Sequence, residues 1–326
     1  MKIGFAYDLK DDYLKDHYSK EEIAEFDSPV TIDAICNALK TLGHDVDRIG
    51  NVFSLILRLL KGDRWDMVFN ITEGMYGSCR EALVPTLLDA YRIPYTFSEP
   101  LIHAITLDKA ITKRLLRDHG LPVTDFALVS NPAQISVPCG KYPYFVKPVG
   151  EGSGKGVTPN SKVNNAQELA VICAELISAF NQPVLVEPFL SGREVTVGVL
   201  GTGIDAYCLG VMDIGFNDKS DAEIHSYFNK ENCGFAVEYT LAKDSFATLC
   251  AETAVAAHRA LGIKDASRVD MRADAAGNIY IMEINSLPGL MPGRSDLILL
   301  SEMAGYAYQQ VISEIMKSAV KRWFKK

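Results

Sequence analysis

Asp270, Glu283 and Asn285 are hard-oxygen donors gathered in one short stretch, RVDMRADAAGNIYIMEINSLPG, from Arg268 to Gly289. The stretch reads as two strands joined by a turn. Arg268 to Ala273 alternates, Asp274 to Asn278 supplies turn residues, and Ile279 to Ile284 is an apolar run. On paired strands Asp270 and Glu283 can face the same side, and Asn285 shares the face of Glu283 because side chains repeat every second residue. Two carboxylates and one amide oxygen suit Mg²⁺ held together with phosphates. Asp270 alone would read as a polar strand end at a sheet rim. Glu283 lies inside an apolar strand, where a carboxylate is costly unless it is paired or metal-bound.

Other residues could hold the phosphates. Lys147 sits in the buried-looking strand YFVKPV, Tyr144 to Val149, and an ammonium there needs an anion. GEGSGKGV follows, Gly150 to Val157. It is neither a Walker A loop nor GxGxxG, and no helix follows it. A glycine-rich hairpin tip carrying Ser153 and Lys155 would be a mobile flap whose N–H groups can cover phosphates. The apolar strand PVLVEPFL, Pro183 to Leu190, is broken by Glu187–Pro188, and backbone groups left unpaired near its end could read the polar edge of an adenine. Glu194 opens the next strand. Lys109 lies on a helix read from Leu107 to His119, ended by Gly120.

These elements need a frame. Lys2 to Tyr7, Asp45 to Ile49 and Asp66 to Ile71 read as strands. Helices between them open at Ser28–Pro29 and Asn51 and stop at Gly43 and Gly62. This β-α-β-α-β pattern implies a parallel, Rossmann-like sheet. Its first strand carries no dinucleotide fingerprint. The loop after the third strand leaves the carboxyl end of the sheet, where such folds bind ligands, so Glu73, Arg80 and Glu81 become candidate substrate contacts. A short strand, Ile93 to Phe97, closes the unit; Asp8 to Asp27 is polar and charged, and its pattern assigns it no element. Gly215 to Phe235 is a long polar segment of the kind that forms lids. The last helix is read from Ile298 to Phe324.

The chain's 326 residues imply more than one core. We expect an α/β unit over residues 1–98, a central α+β unit with the flap over 99–182, and a C-terminal α+β unit with the metal and substrate site over 183–326. A net charge of −8 without an internal basic cluster argues against nucleic acid. The basic end, KRWFKK, complements the dipole of the last helix rather than a membrane. No apolar run is long enough to span a bilayer and no signal-peptide pattern opens the chain. Seven scattered cysteines without metal-ligand spacing suit a reducing, cytoplasmic setting and mostly fill cores.

From about Trp65 onward the chain resembles the ATP-grasp superfamily, and within it the D-alanine–D-alanine ligase family. The motifs that carry this are Tyr144–Gly156, Val184–Glu194 and Arg268–Gly289. The resemblance implies an ATP-grasp fold, α+β in its nucleotide part, in which two subdomains clamp ATP. It implies Lys109 and Lys147 on the phosphates, and Gly152, Ser153 and Gly154 as the flap. Glu187, Pro188, Phe189 and Leu190 become the adenine hinge, and Glu194 the ribose carboxylate. Arg268 becomes the phosphate-binding arginine and Gly289 part of an oxyanion site. Asp270, Glu283 and Asn285 become the ligands of Mg²⁺, two ions with Mn²⁺ as an acceptable substitute. The implied chemistry phosphorylates a substrate carboxylate and lets an amine attack the acyl phosphate. With ATP and two metal ions bound, these charges leave about one positive unit for an incoming carboxylate.

The substrate side departs from the family. EEIAEFDSPVTID, Glu21 to Asp33, does not match the signature that anchors the first substrate's amino group, and Glu73 stands where the family carries histidine. Ser226–Tyr227 replaces a Lys-Tyr pair, leaving Tyr227 as the lid contact, and Arg294 or Ser295 stands where the second carboxylate is bound. The expected substrates are a small carboxylate and an amine, amino acids or similar, and the resemblance alone implies a homodimer. Two other readings fit these departures: a nucleotide-binding regulatory protein on a decayed ligase frame, or an enzyme passing the acyl group to a carrier protein or an internal nucleophile.

Overall fold

The opening strand Lys2–Tyr7 (β1) is buried on both faces, as a central parallel strand must be. In the computed structural model, which describes residues 1–15, 17–217 and 237–324, it is flanked by Asp45–Gly50 (β2) and Met67–Ile71 (β3) in the order β2-β1-β3, all parallel. A short helix Lys10–Lys15 (α1) follows β1. Pro29–Thr41 (α2) and Val52–Leu60 (α3) are the crossovers, capped by the side chains of Ser28 and Asn51 as expected. Alternation along β1 and β3 splits their side chains between two cores. Ile3, Phe5, Met67 and Phe69 pack with α2, whereas Ala6 and Val68 pack with Leu55 and Leu59 of α3.

Leu83–Ala90 (α4) completes this unit after a 3-10 turn at Arg80–Ala82. The expected strand at Ile93 to Phe97 is only a single parallel bridge, Val68 to Tyr95. The expected helix at Leu107 to His119 is Lys109–Asp118 (α6), and a further helix, Pro100–Leu107 (α5), precedes it. Asp108 breaks them apart, because its carboxylate accepts from the N–H groups of Ala110 and Ile111 and so caps α6. Lys109 thereby becomes the first residue of a helix.

A four-stranded sheet, β4-β7-β5-β6, follows. Ala127–Val129 (β4), Tyr144–Pro148 (β5), Lys162–Val163 (β6) and Val184–Pro188 (β7) pair antiparallel and carry Ala166–Phe180 (α7) on one face. The last sheet has five strands in the order β10-β9-β8-β11-β12. These are Glu194–Leu200 (β8), Tyr207–Phe216 (β9), Val237–Leu241 (β10), Ala266–Ala273 (β11) and Ile279–Asn285 (β12). Ser245–Ala260 (α8) covers one face through Ala247, Cys250, Ala254 and Ala257. The expected final helix is also two, Asp296–Met303 (α9) and Tyr308–Phe324 (α10), separated at Gly305, whose φ is +87°. Val311, Ile312 and Ile315 of α10 pack into the core of β1 and α2, so the two ends of the chain share one core.

Among the described residues no cysteine is bridged, and Cys36, Cys173 and Cys250 are buried as expected. No described helix is long and apolar enough to cross a membrane.

Candidate active site

The hairpin β11–β12 forms in the register its alternation requires. Asp270 stands opposite Glu283, and Arg268 opposite Asn285. Val269, Met271, Ile281 and Ile284 turn into the core beneath α8, which commits the intervening polar residues to the other side. A register shift after Asp270 marks a bulge beside the site, where such irregularities re-aim side chains. Asp270 accepts from Thr196 Oγ1 at 2.6 Å, from Arg268 Nη2 at 2.8 Å and from Asn285 Nδ2 at 3.3 Å. Arg268 also lies 3.5 Å from Asp296 and 3.9 Å from Glu283. Burial alone would lower its pKa, but the surrounding carboxylates outweigh burial and raise it, so it is a fixed cation.

Among the described residues no three His, Cys, Asp or Glu converge on one point. The hairpin offers two carboxylates and one amide instead. That set fits Mg²⁺, which keeps several waters and phosphate oxygens and takes only one or two carboxylates from protein.

Two cavities meet at this hairpin. A narrower one, about 100 Å³, is lined by Lys147, Gly154, Pro188, Phe189, Leu190 and Glu194, with Asp270 at its edge. A wider one, about 280 Å³, is lined by Gly152, Ser153, Asn285, Gly289, Arg294 and Ser295, with Arg268 and Glu73. Lys109 and Glu283 line both. Lys109 Nζ is 3.4 Å from Glu283 Oε2 and donates to the carbonyl of Glu151 at 2.5 Å. The residues the sequence assigns to the nucleotide and those it assigns to the substrate thus fall largely into separate cavities with a shared wall.

The anion that Lys147 requires is Glu187. Its carboxylate is fully buried, 2.8 Å from Lys147 Nζ and 2.9 Å from Lys113 Nζ, and it accepts from Thr124 Oγ1 at 2.7 Å. Burial pushes its pKa up, but the two lysines pull it down further, to about 2. One carboxylate beside two ammoniums leaves a net positive charge in low dielectric next to the narrower cavity. Glu187 is therefore corrected from an adenine contact to a counter-ion: its side chain points into the protein, because two buried lysines cannot be left unpaired. The N–H of Phe189 is also spent, on the carbonyl of Pro143 at 3.0 Å, so that hinge group is not free for a base. Glu194 is 3.0 Å from Arg272 Nη1.

The wider cavity is lined by several carboxyl groups. Glu73 and Gly74 donate their N–H groups to Asp8, at 3.0 and 2.9 Å, which holds the loop after β3 in place. Gly74 has φ +72°, and a Cβ there would lie 2.6 Å from the carbonyl oxygen of Arg80. Glu73, Glu81 and Asp27 all line this cavity. Burial and then neighbouring carboxylates raise Glu81 to about 8 and Glu73 well above the carboxylate range, and burial raises Asp27 to about 7. Arg268, Arg294 and Gly289 line the same cavity. A Cβ on Gly289 would approach Ser295 Oγ to 2.8 Å.

Arg80 is corrected as a cavity contact. Its guanidinium turns away to the carbonyl of Gly150, at 2.9 Å, and to Glu25, at 3.2 Å. Tyr227 lies outside the described residues. Sequence reasoning missed Glu25, Asp27 and Lys113. Lys113 lies four residues after Lys109 on α6, a same-face spacing that a search for partners of Glu187 could have used. Glu25 meets the glycine-rich loop across 127 residues of sequence, and nothing local signals that.

Residues 115–317 match the family model described as the D-ala D-ala ligase C-terminus. A D-alanine–D-alanine ligase of Sphingopyxis alaskensis is 33% identical over 297 residues, covering 88% of this chain and 91% of that one. An uncharacterised protein of Sinorhizobium fredii is 30% identical over 308 residues, covering 90% and 88%. Among solved structures, the Bacillus anthracis D-alanine–D-alanine ligase complexed with ATP superposes with a TM-score of 0.75 at 20% identity, over 99% of this chain and 98% of that one. The VanG D-Ala:D-Ser ligase of Enterococcus faecalis gives 0.73 at 19% identity, over 98% and 99%. The fold already described agrees with these matches: the chain belongs to the D-alanine–D-alanine ligase family of ATP-grasp enzymes and is an ATP-dependent ligase.

Proposed function

We propose that the chain uses ATP to phosphorylate the carboxylate of one small amino acid-like substrate and joins it to the amine of a second, releasing ADP and phosphate. The observation that carries this reading is the wall common to both cavities. Glu283 and Lys109 border the narrower, nucleotide-sized space and the wider, polar one. A group transferred from one space to the other must pass them. A carboxylate is a poor electrophile, so its oxygen has to become a leaving phosphate before an amine can displace it. Positioning and charge do most of that work.

In this reading Lys147 and Lys109 hold phosphate oxygens, and the Lys113–Glu187–Lys147 cluster keeps Lys147 charged and aligned. Arg268 faces the charge that builds on the transferred phosphoryl group. Ser153, Gly152 and Gly154 cover the phosphates, and Gly289 contributes to the oxyanion site. Asp270, Glu283 and Asn285 would hold Mg²⁺, two ions, with Mn²⁺ able to take the same oxygens; the metal would neutralise phosphate charge. Pro188, Phe189 and Leu190 supply the apolar hinge for the base, and Glu194 with Arg272 borders the sugar.

The wider cavity supports the substrate class. At about 280 Å³ it suits small molecules rather than long peptides. Its carboxyl groups, Glu73 among them, receive an ammonium group, and Arg294 with Ser295 receives a carboxylate. That is the polarity of a zwitterionic amino acid, and D-alanine is one member of the class. Tyr227 completes the set as a lid contact. The reading includes a cytoplasmic homodimer without nucleic acid or membrane partners, supported by the net charge of −8 and by the exposed apolar side of α3 at Phe53, Leu57 and Leu60. A screen of D- and L-amino acids, alone and in pairs, tests it through ADP release and product mass. ADP should appear with a condensed product for at least one pair; absence of turnover across the panel, with ATP still bound, would favour a regulatory protein.

A further inference from the structure

The glycine-rich loop reads from sequence as a free flap, yet it is fastened at four residues. Gly150 donates its N–H to Gln182 Oε1 at 2.7 Å, and its carbonyl accepts from Arg80 Nη1 at 2.9 Å. The Glu151 carbonyl accepts from Lys109, and its carboxylate from Gln182 Nε2 at 2.8 Å. The Gly152 N–H donates to Glu25 Oε1 at 2.8 Å. Lys155 Nζ lies 2.9 Å from Glu25 Oε2 and 2.6 Å from Glu151 Oε2. Arg80 closes the set on Glu25. The side chains of Arg80, Lys155 and Glu25 are all more than nine-tenths buried or at that limit, with relative exposures of 8%, 8% and 9%.

Two further facts show that this is built rather than incidental. Gly152 lets the carboxylate come close: a Cβ there would fall 2.3 Å from Glu25 Oε1 and make that side chain shift. Glu25 itself is anchored, since Ile23 and Phe26 on either side are buried against Tyr13. Burial would raise the Glu25 pKa, but Arg80 and Lys155 outweigh it and lower it, so the carboxylate stays charged where the loop needs it. Lys155 borders the nucleotide cavity, and Glu25 borders the substrate cavity. The ion pair therefore crosses the partition between them.

We propose that Glu25, Arg80 and Lys155 form a clamp that holds the glycine-rich loop closed and ties its closure to the wall of the substrate cavity. In this arrangement Lys155 is a positioning residue for the loop, not a phosphate ligand. Its consequence, which rests on the ligase reading, is that water is kept from the acyl phosphate while the amine is in place. Three charge-assisted contacts converge on Glu25, so loss of that one carboxylate loosens the loop from Gly152 to Lys155, while Gly150 and Glu151 keep Gln182, Arg80 and Lys109.

The test follows hydrogen exchange of the amides of residues 150–156 in the full chain, with and without ATP, in Glu25→Ala, Glu25→Gln and Gly152→Ala. Exchange in Glu25→Ala should quicken at least about tenfold, while amides of β1 and β11 are unaffected. Glu25→Gln keeps the acceptor for the Gly152 N–H and should fall between. Gly152→Ala keeps every charge but pushes Glu25 away, and should also quicken exchange, which covers the case in which Glu25→Ala folds poorly. In turnover, ATP hydrolysed without product should rise relative to ligation. Unchanged loop exchange in both Glu25→Ala and Gly152→Ala would overturn the clamp. Because exchange needs no turnover, that failure is distinct from a failure of the ligase reading, in which exchange would respond and no amino acid pair would react.

Discussion

Removing Glu187 and removing Lys147 should do different things, although the two side chains touch. Among the described residues, Glu187, itself without exposure, is the only carboxylate within salt-bridge distance of Lys113 and of Lys147. Glu187→Ala leaves two buried ammoniums facing each other. Breaking a buried pair from one side costs about 3–5 kcal/mol. Unfolding entropy of about 2.1 cal/mol/K per residue gives roughly 0.7 kcal/mol/K for a chain of 326 residues, so Tm should fall by about 4–7 °C. Lys147→Met leaves Glu187 still bonded to Lys113 and Thr124, and should cost about 1 kcal/mol, or about 1–2 °C. Its effect belongs to ATP. Loss of one charged hydrogen bond to a phosphate, about 1.5–3 kcal/mol, weakens nucleotide binding roughly 10- to 100-fold. Thermal melts and ATP titrations on both variants decide the matter. The reasoning fails if Lys147→Met melts as low as Glu187→Ala while binding ATP normally.

The carboxyl groups lining the wider cavity make a pH prediction. Glu81 at about 8 and Asp27 at about 7 lie above their unfolded values of 4.5 and 3.8, so between those limits the folded state binds more protons. Stability should then fall as pH rises from about 5 to 8, and Tm at pH 6 should exceed Tm at pH 8.5; a rising profile would contradict the shifts. A cationic substrate favours the ionised carboxyls, so its binding at pH 7 should expel protons, visible as buffer-dependent heats in calorimetry. Arg294→Ala should raise the KM for a carboxylate-bearing substrate about tenfold with ATP affinity unchanged; unaltered kinetics would move carboxylate recognition elsewhere in the cavity.

Periodicity and capping carried much of the frame. Ser28–Pro29, Asn51, Gly43 and Gly62 marked the ends of α2 and α3 because each solves a local problem of backbone hydrogen bonding or positive φ. The hairpin was legible for the same reason: alternation fixes which side Asp270 and Glu283 share. One error was local: Gly305, with positive φ, is a stop inside the expected final helix, whereas Asp108 only sets the start of the helix expected from Leu107. What was not legible depends on long-range pairing. A lysine in an apolar strand announces that it needs an anion, but nothing in YFVKPV says that the anion is Glu187 rather than a phosphate. The same holds for Glu25, which sits in an aperiodic charged segment and acquires its meaning only when residues 80, 152 and 155 arrive around it. Arg80 was placed in the right loop and aimed at the wrong partner.

The central claim is that the β11–β12 hairpin, standing between the two cavities, drives phosphoryl transfer to a carboxylate. Glu283→Gln tests it most directly, because glutamine keeps the shape of the strand and removes the charge that would hold the metal. Substrate-dependent ADP release should drop by at least about 100-fold, or about 2.7 kcal/mol of barrier, with an unchanged fold by circular dichroism and a weakened response to added Mg²⁺. Full ADP release by Glu283→Gln at the same Mg²⁺ concentration would contradict the account.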